Sequence, residues 1–499
     1  MKKPKFHFLM PILLLSLLFG SCRNLDENPV SQVTPDNFFK TEDELVAAVI
    51  PVYNSARLWK WSEAAHLQEV TSDEIVVPTR GGDWDDGGDW RRQQEHTWTV
   101  TENRLNSAWT DLYRGVARAN AVLEAMEASP LSESDLVRTF KAEVRFLRAL
   151  FYWWLMDMFG NAPLVTKSLE LGVLPEQSSR SEVFDFVVSE INAALPDLEE
   201  VAPSYGRATK GAANALLATV YLNAEVYSGT ARWSECVQAC DAVINSGRYN
   251  LMPTFTDVFA LENEGPANTE NIFVIANLPE SGVGFERQQA TLHYNLIPQT
   301  PWNGFSVLAD FYNRYDPDDD RRDVLLVGSQ VVLAGPNKGQ PAFDRQGNPL
   351  IFIVDFPLIG AAENHGVRML KWPLDPNQNG GDAGNDFAIF RYAHILLAKA
   401  EALFRLGQAG PALDLINQVR ARVFEPDKPL ASLDEQTILD ERGFEFLWEE
   451  YRRTDQIRHG RFLDAWTLKP PSDGPHRNLF PIPQIQLDAN PNLRQNPGY

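Results

Sequence analysis

The run LLAKAEALFRLGQAGPALDLINQVRARV, residues 396–423, most limits what this chain can become. Its apolar positions recur at helical spacing on both sides of Gly407 and Pro411, and small and large apolar residues alternate as in a tetratricopeptide-like helix hairpin. Such a hairpin cannot bury its apolar face alone. Stacked neighbours of the same kind are needed to share a core.

The same periodicity predicts helices over 42–59, 104–128, 135–159, 182–199, 210–227, 233–246, 388–406, 411–423 and 434–453. It is clearest in Ala213, Leu217, Val220, Ala224 and Tyr227, whose spacing keeps one face apolar. Ser432 with Glu435 has capping-box spacing, Pro411 suits a first helical turn, and Gly407 suits a helix exit. Three stretches break the pattern: 70–100, about 250–385, and 468–499. They are rich in Gly, Pro, Asn, Asp and aromatics, with short β-like runs at 272–276, 331–333 and 351–354. The expected fold is mainly α: a scaffold of tetratricopeptide-like helical pairs with long loop and short β-hairpin excursions, forming one domain over 35–499. Long loops on a rigid scaffold are where binding usually resides.

At the N-terminus Lys2, Lys3 and Lys5 precede an apolar run over 8–19, followed by Gly20, Ser21 and Cys22. The run is too short for the ~20 residues a membrane-spanning helix needs, and its three parts are those of a secretory signal over 1–21. Small residues ending in cysteine resemble a bacterial lipobox, with Phe19 where an aliphatic residue is usual. Cys22 is then the expected acylated first residue of the mature chain, and 22–34, with Asp26 and Glu27, a polar tether. Losing the three lysines of 1–21 takes the formal net charge from −22 to −25. Charge will not hold such a chain on an anionic membrane, so the lipid must. The same acidity opposes the phosphate neutralisation that nucleic-acid binding requires. Cys236 and Cys240 lie four apart at helical spacing and read as buried free thiols, since a disulfide there would strain the helix.

Several motifs in order carry a family likeness. The lipobox, SDEIVVPTRGGDWDDGGDW from Ser72, ATKGAANALLATVYLNAE from Ala208, PWNGFSVLADFYNRYDPDDDRR from Pro301, RYAHILLAKAEAL from Arg391, ERGFEFLWEEYRRTDQIRHGRF from Glu441 and LFPIPQIQLDANPNLRQNPGY from Leu479 together resemble the SusD/RagB family of Bacteroidetes outer-membrane nutrient-binding lipoproteins. The resemblance implies a surface lipoprotein of the cell outer membrane that captures oligosaccharide and delivers it to a SusC-like TonB-dependent transporter.

Within the second motif, GGDWDD and GGDWRR repeat in tandem. They present Trp84 and Trp90 beside Asp83, Asp85, Asp86 and Asp89, with Arg80 and Asp73 flanking. An indole face packs on the C–H face of a sugar ring, and carboxylates accept from its hydroxyls. Trp302 and Asn303 form a second candidate, and Trp372 a weaker one. Packing of these indoles onto the scaffold is the competing reading. Trp59, Trp61, Trp109, Trp153 and Trp154 fall on helical spacing and read as core or helix contacts. Asp375, Asn377, Asn379 and Asp386 have calcium-loop spacing, but without the usual final Glu; a turn ending in a helix N-cap at Asn385 or Asp386 fits better. The run Asp316, Asp318, Asp319, Asp320 with Arg321 and Arg322 reads as a solvated, locally paired loop.

Sixty-seven acidic residues leave open a carboxylate pair of the glycoside-hydrolase kind. No HExxH, GxxxxGK, GxGxxG or GxSxG motif occurs. Binding without catalysis is therefore the expected activity, with a surface hydrolase or a helical scaffold that holds the transporter without binding sugar as alternatives. No cofactor is expected.

Overall fold

The computed structural model describes residues 41–263, 265–277 and 284–499. Residues 1–40, with the expected leader, Cys22 and the expected tether, lie outside the described residues. The helices are α1 (Glu42–Ser55), α2 (Glu63–Val70), α3 (Asp89–Glu95), α4 (Asn103–Ala128), α5 (Asp135–Phe159) and α6 (Arg180–Ala194). After them come α7 (Lys210–Leu222), α8 (Ala224–Ser228), α9 (Trp233–Asn245), α10 (Arg287–Thr291) and α11 (Ala309–Arg314). The last are α12 (Tyr392–Arg405), α13 (Ala409–Arg420), α14 (Glu435–Phe446), α15 (Arg452–Arg458) and α16 (Gln484–Ala489).

Helix α4 packs on α5 and α5 on α6; α7 packs on α9, α9 on α12, and α12 on α13. The long excursion therefore leaves after α9 and re-enters before α12 without separating the two hairpins it interrupts. Its ends meet in an antiparallel pair, Asn271–Ile275 with Phe387–Arg391. The turn between α12 and α13 closes as the sequence requires. Gly407 has φ +78°, its N–H donates to Phe404 O, and Gln408 N–H donates to Leu403 O, both at 2.9 Å, which is a Schellman closure. Cys236 and Cys240 are buried free thiols.

Four local expectations change. The stretch 388–406 begins as strand, because every residue of Phe387–Arg391 is buried and a helix would turn some outward; α12 starts at Tyr392. The stretch 210–227 is interrupted at Asn223, whose Oδ1 accepts from Arg458 Nη1 at 2.7 Å. The α14 cap is Asp434, accepting from Thr437 N–H at 2.7 Å, instead of Ser432. The stretch 434–453 breaks between α14 and α15, where Trp448 and Glu450 take φ of +62° and +64°. Of the β-like runs, 272–276 and 351–354 hold strands, while Val331 makes only an isolated bridge to Pro341.

That break serves charge. Arg391 is buried and donates to Glu270 at 2.7 Å, Glu445 at 2.6 Å and Glu449 at 2.8 Å. Arg422 reaches Glu445 at 2.5 Å, and Lys371 reaches Glu449 at 2.5 Å. The run at 316–322 joins them: Asp319 and Arg321 are buried, and Arg321 binds Asp319 at 2.6 Å, Glu441 at 3.0 Å and Glu445 at 3.5 Å. The solvated-loop reading therefore fails for these two residues. Burial alone would raise Glu445, but Arg422, Arg391 and Arg321 outweigh it and hold the carboxyl well below its usual range.

Replacing Arg391 by Ala leaves three buried carboxylates with one cation fewer. We expect a loss of about 3–5 kcal/mol, read as a lower urea midpoint at constant slope. Glu69 and the carboxylates around Glu445 pull the pH profile of melting in opposite directions, and buried His66, His96 and His394, lowered by burial, work against Glu69 below about 6.5. Burial pushes Glu69 up to about 7, above its unfolded value, so its own contribution to stability grows as pH falls from about 7 toward about 4.5. Glu445, Glu449 and Asp455 are held low against burial by their arginine and lysine partners, and the stability they supply is lost as pH falls below the unfolded carboxylate range. Glu69→Gln should flatten the upper limb only.

Candidate functional site

Two excursions meet at one surface. Ile75–Val76 pairs antiparallel with Ser306–Val307, which lays the 72–90 segment against the PWNGF loop. Helix α10 clamps that loop: Trp302 N–H donates to Gln289 O at 2.7 Å, Asn303 N–H to Leu292 O at 3.0 Å, and Gly304 N–H to Ala290 O at 2.8 Å. With its backbone held on both sides, Trp302 leaves its side chain outside, 38% exposed.

Trp84 sits in the left-handed region at φ +64°, a conformation that costs a bulky residue energy and persists only where surroundings fix it. Here they do. Its indole N–H donates to Trp302 O at 2.8 Å, and its ring lies so close over Gly304 that a Cβ there would stand 2.5 Å from Trp84 Cε2. Beneath is an aromatic base centred on buried Phe305 and Trp90. Phe305 stands 5.4 Å from Trp90, 5.5 Å from Trp61 and 5.9 Å from Trp84, and Trp61 lies 6.1 Å from Trp302.

A polar rim borders the rings. Tyr294 donates its hydroxyl to Asp83 at 2.5 Å, and Arg345 lies 4.1 Å over the Tyr294 ring while binding Glu363 at 2.5 Å. Burial and the bond to Asp83 push Tyr294 up to about 12, so it stays a neutral donor. Burial pushes His293, 3.2 Å from Glu363, down to about 4.

The structure thus keeps Trp84, Trp302 and Asp83 at one surface and withdraws the other candidates. Trp90 is 4% exposed; its N–H binds Asp86 at 2.6 Å and Arg104 covers its ring at 3.6 Å, so it supports the platform from below. Asp89 is paired with Arg92 and, at 3.3 Å, with Arg104; burial and then Glu102 push it up to about 6. Arg80 is buried, donating to Ala362 O at 2.6 Å and Ser306 Oγ at 2.9 Å. Asp73 is buried between Arg452 at 2.6 Å and Arg314 at 2.6 Å, which outweigh burial and hold it well below its usual range. Asn303 is buried, accepting from Arg368 at 2.8 Å and donating to Glu363 O at 3.0 Å. All four polar residues have side-chain partners within the chain.

Trp372, Trp59, Trp109, Trp153 and Trp154 are buried in the core, whereas Trp61 is half-buried and edges the platform. In the 375–386 loop the carboxylates bind backbone N–H groups, with an Asx turn at Asp375. Asp375 accepts from Asn377 N–H at 2.7 Å and Gly384 N–H at 2.8 Å, and Asp386 accepts from Asn277 N–H at 3.2 Å. Among the described residues no metal-holding group of three or more His, Cys, Asp or Glu occurs. Asn385 and Asp386 lead into a strand, so neither is a helix N-cap. Tyr294 and Arg345 went unrecognised in the sequence; an aromatic in LHYN and an Arg before a Gly–Asn turn, both inside the long excursion, were the available signals.

Comparison with known proteins agrees with this architecture. The SusD family model matches residues 356–499, and a model described as starch-binding, associating with the outer membrane, matches 24–222. Starch-binding protein SusD of Bacteroides thetaiotaomicron is 25% identical, with 87% of this chain and 85% of that protein aligned. A SusD-like protein of Formosa agariphila is 26% identical over 98% and 99%. Surface glycan-binding protein A of B. thetaiotaomicron, solved with laminarihexaose, superposes with TM-score 0.72 at 22% identity, covering 91% of this chain and 99% of that one. A SusD superfamily protein of Parabacteroides distasonis gives TM-score 0.76 at 21% identity over 94% and 100%. Two family models that take in both halves of the sequence, relatives aligned nearly end to end and the shared helical scaffold establish that this chain belongs to the SusD/RagB family.

Proposed function

We propose that this chain is a cell-surface glycan-binding lipoprotein of the outer membrane, acylated at Cys22 after loss of 1–21, tethered through 22–34 and folded as one domain over 35–499. It captures oligosaccharide on Trp84 and Trp302 without cleaving it and passes it to a SusC-like TonB-dependent transporter. The observation that carries the reading is the exposed Trp302 ring, on a loop pinned to α10, beside a Trp84 ring bonded to the Trp302 carbonyl and packed near buried Phe305. Pre-set rings bind sugar with little ordering cost. Asp83, Tyr294 and Arg345 offer acceptors and donors for hydroxyls at the same edge. Starch and laminarihexaose, named for two relatives, support carbohydrate as the ligand class. Each rim carboxylate is committed to a tyrosine, arginine or histidine partner, an arrangement that favours holding over proton transfer.

Titration of a glycan panel should find ligands whose affinity falls about 10- to 100-fold in Trp302→Ala or Trp84→Ala, the range expected for losing one stacked ring. Trp90→Ala should instead cost stability, by about 3–5 kcal/mol. Unchanged affinity for every bound glycan in the first two variants contradicts the platform, and shortened product contradicts the absence of catalysis. Labelled palmitate should enter the wild-type chain in its host and not Cys22→Ala.

A further inference from the structure

Against the edge of the platform lies a cleft of about 330 Å³ whose wall includes Trp61, the ring that touches Trp302. Its lining is cationic: Arg57, Lys60, Arg114 and Arg118, against the two carboxylates Asp111 and Glu286. Arg114 and Arg118 project from one face of α4, three and seven residues after Asp111, and both are exposed. Arg114 pairs with Asp111 at 2.6 Å. Arg118 donates to Ser55 Oγ at 2.9 Å and Pro51 O at 3.4 Å, and among the described residues no carboxylate lies within ion-pair distance of it. Lys60 is nearly buried with Glu286 3.9 Å away, and burial pushes it down to about 8. An anion placed there would favour the charged form that burial disfavours. Arg57 donates to Asn277 at 3.1 Å from the same wall.

This cluster stands on a chain of formal charge −22, whose overall field repels anions. An acidic protein can seat an anionic ligand only where cations are gathered locally. Where that gathering adjoins exposed indoles, stacking and ion pairing act on one molecule.

Resting on the carbohydrate reading above, we infer that the cleft receives a negatively charged substituent, a uronate carboxylate or a sulfate ester, of a glycan whose rings lie on Trp61 and Trp302. The preferred ligands are acidic oligosaccharides. Arg118 supplies Nε and Nη2, the donors it does not spend on Ser55 and Pro51, Arg114 a second guanidinium that can be shared between Asp111 and the ligand, and Trp61 the apolar wall between charge and platform.

The test is calorimetric titration of the full chain in low salt with maltohexaose, laminarihexaose, a galacturonic-acid hexamer, sulfated laminarihexaose, galacturonic acid monomer and inorganic sulfate. The expected result is that one acidic hexamer binds about tenfold tighter than any neutral hexamer, the worth of one charge-assisted contact. That preference should shrink with added salt. The readout is the ratio of acidic to neutral affinity, which should fall about tenfold in Arg118→Ala and Arg114→Ala and partly recover in Arg118→Lys. Thermal melts confirm that the variants fold, and Trp302→Ala should weaken both classes. Equal affinities, or a ratio unmoved by the arginine variants, overturns the inference while leaving the platform intact. Sulfate or the monomer binding as tightly as the hexamers also overturns it, in favour of a free-anion site. Loss of all glycan binding in wild type removes the carbohydrate reading and this one with it.

Discussion

A buried carboxylate stays charged only where cations surround it, and Glu445 meets that condition three times over, through Arg391, Arg422 and Arg321. These come from parts of the chain that share no local structure: the strand before α12, the segment after α13, and the acidic run of the long excursion. Glu270 and Lys371, from two further points of that excursion, complete the lattice through Arg391 and Glu449. Hydrophobic stacking accounts for the helical pairs. It does not say where a loop of more than a hundred residues must lie, because apolar contact is non-directional. Fixed charge pairs do, since each misplaced partner leaves a desolvated ion.

The same logic carries outward to the platform. Arg287, at the start of α10, is buried with Glu450 and the Trp448 carbonyl as partners, and sits 4.6 Å over Phe387 and 5.1 Å over Trp372. Its Nη2 also donates to Lys60 O at 3.0 Å, one residue before Trp61. One guanidinium therefore anchors both the helix that clamps Trp302 and the turn that places Trp61. The left-handed conformations at Trp448 and Glu450 make sense in this light: an unbroken helix through 434–453 could not turn Glu449 toward Arg391 and Glu450 toward Arg287 at once.

Helical periodicity made most of the scaffold legible because its signal is local. α5 runs over the very residues expected, and Ala213, Leu217, Val220, Ala224 and Tyr227 are all buried despite the break at Asn223. What periodicity could not reveal is partnership at long range. Asp73 and Arg80 look like loop residues offered to solvent until Arg452, nearly four hundred residues on, and Ser306 take them inward. Trp84 and Trp90 occupy equivalent places in a tandem repeat, yet one is half-exposed and the other buried, because Arg104 covers only the second. Composition made the loop's aromatic and acidic character plain; orientation came from contacts the repeat does not encode.

That asymmetry matters for what the surface can do. If both indoles were free, each would have to be ordered by the ligand, and rotamer entropy would be lost on every capture. Here Trp90 is spent on rigidity, Trp84 is held by Gly304 and the Trp302 carbonyl, and the loop that carries Trp302 is pinned by three backbone bonds, those of Trp302, Asn303 and Gly304, to α10 and its flank. The cost of fixing Trp84 and the backbone of the Trp302 loop is therefore met during folding. On the proposed reading, a surface ordered in this way discriminates ligands by shape at little entropic cost.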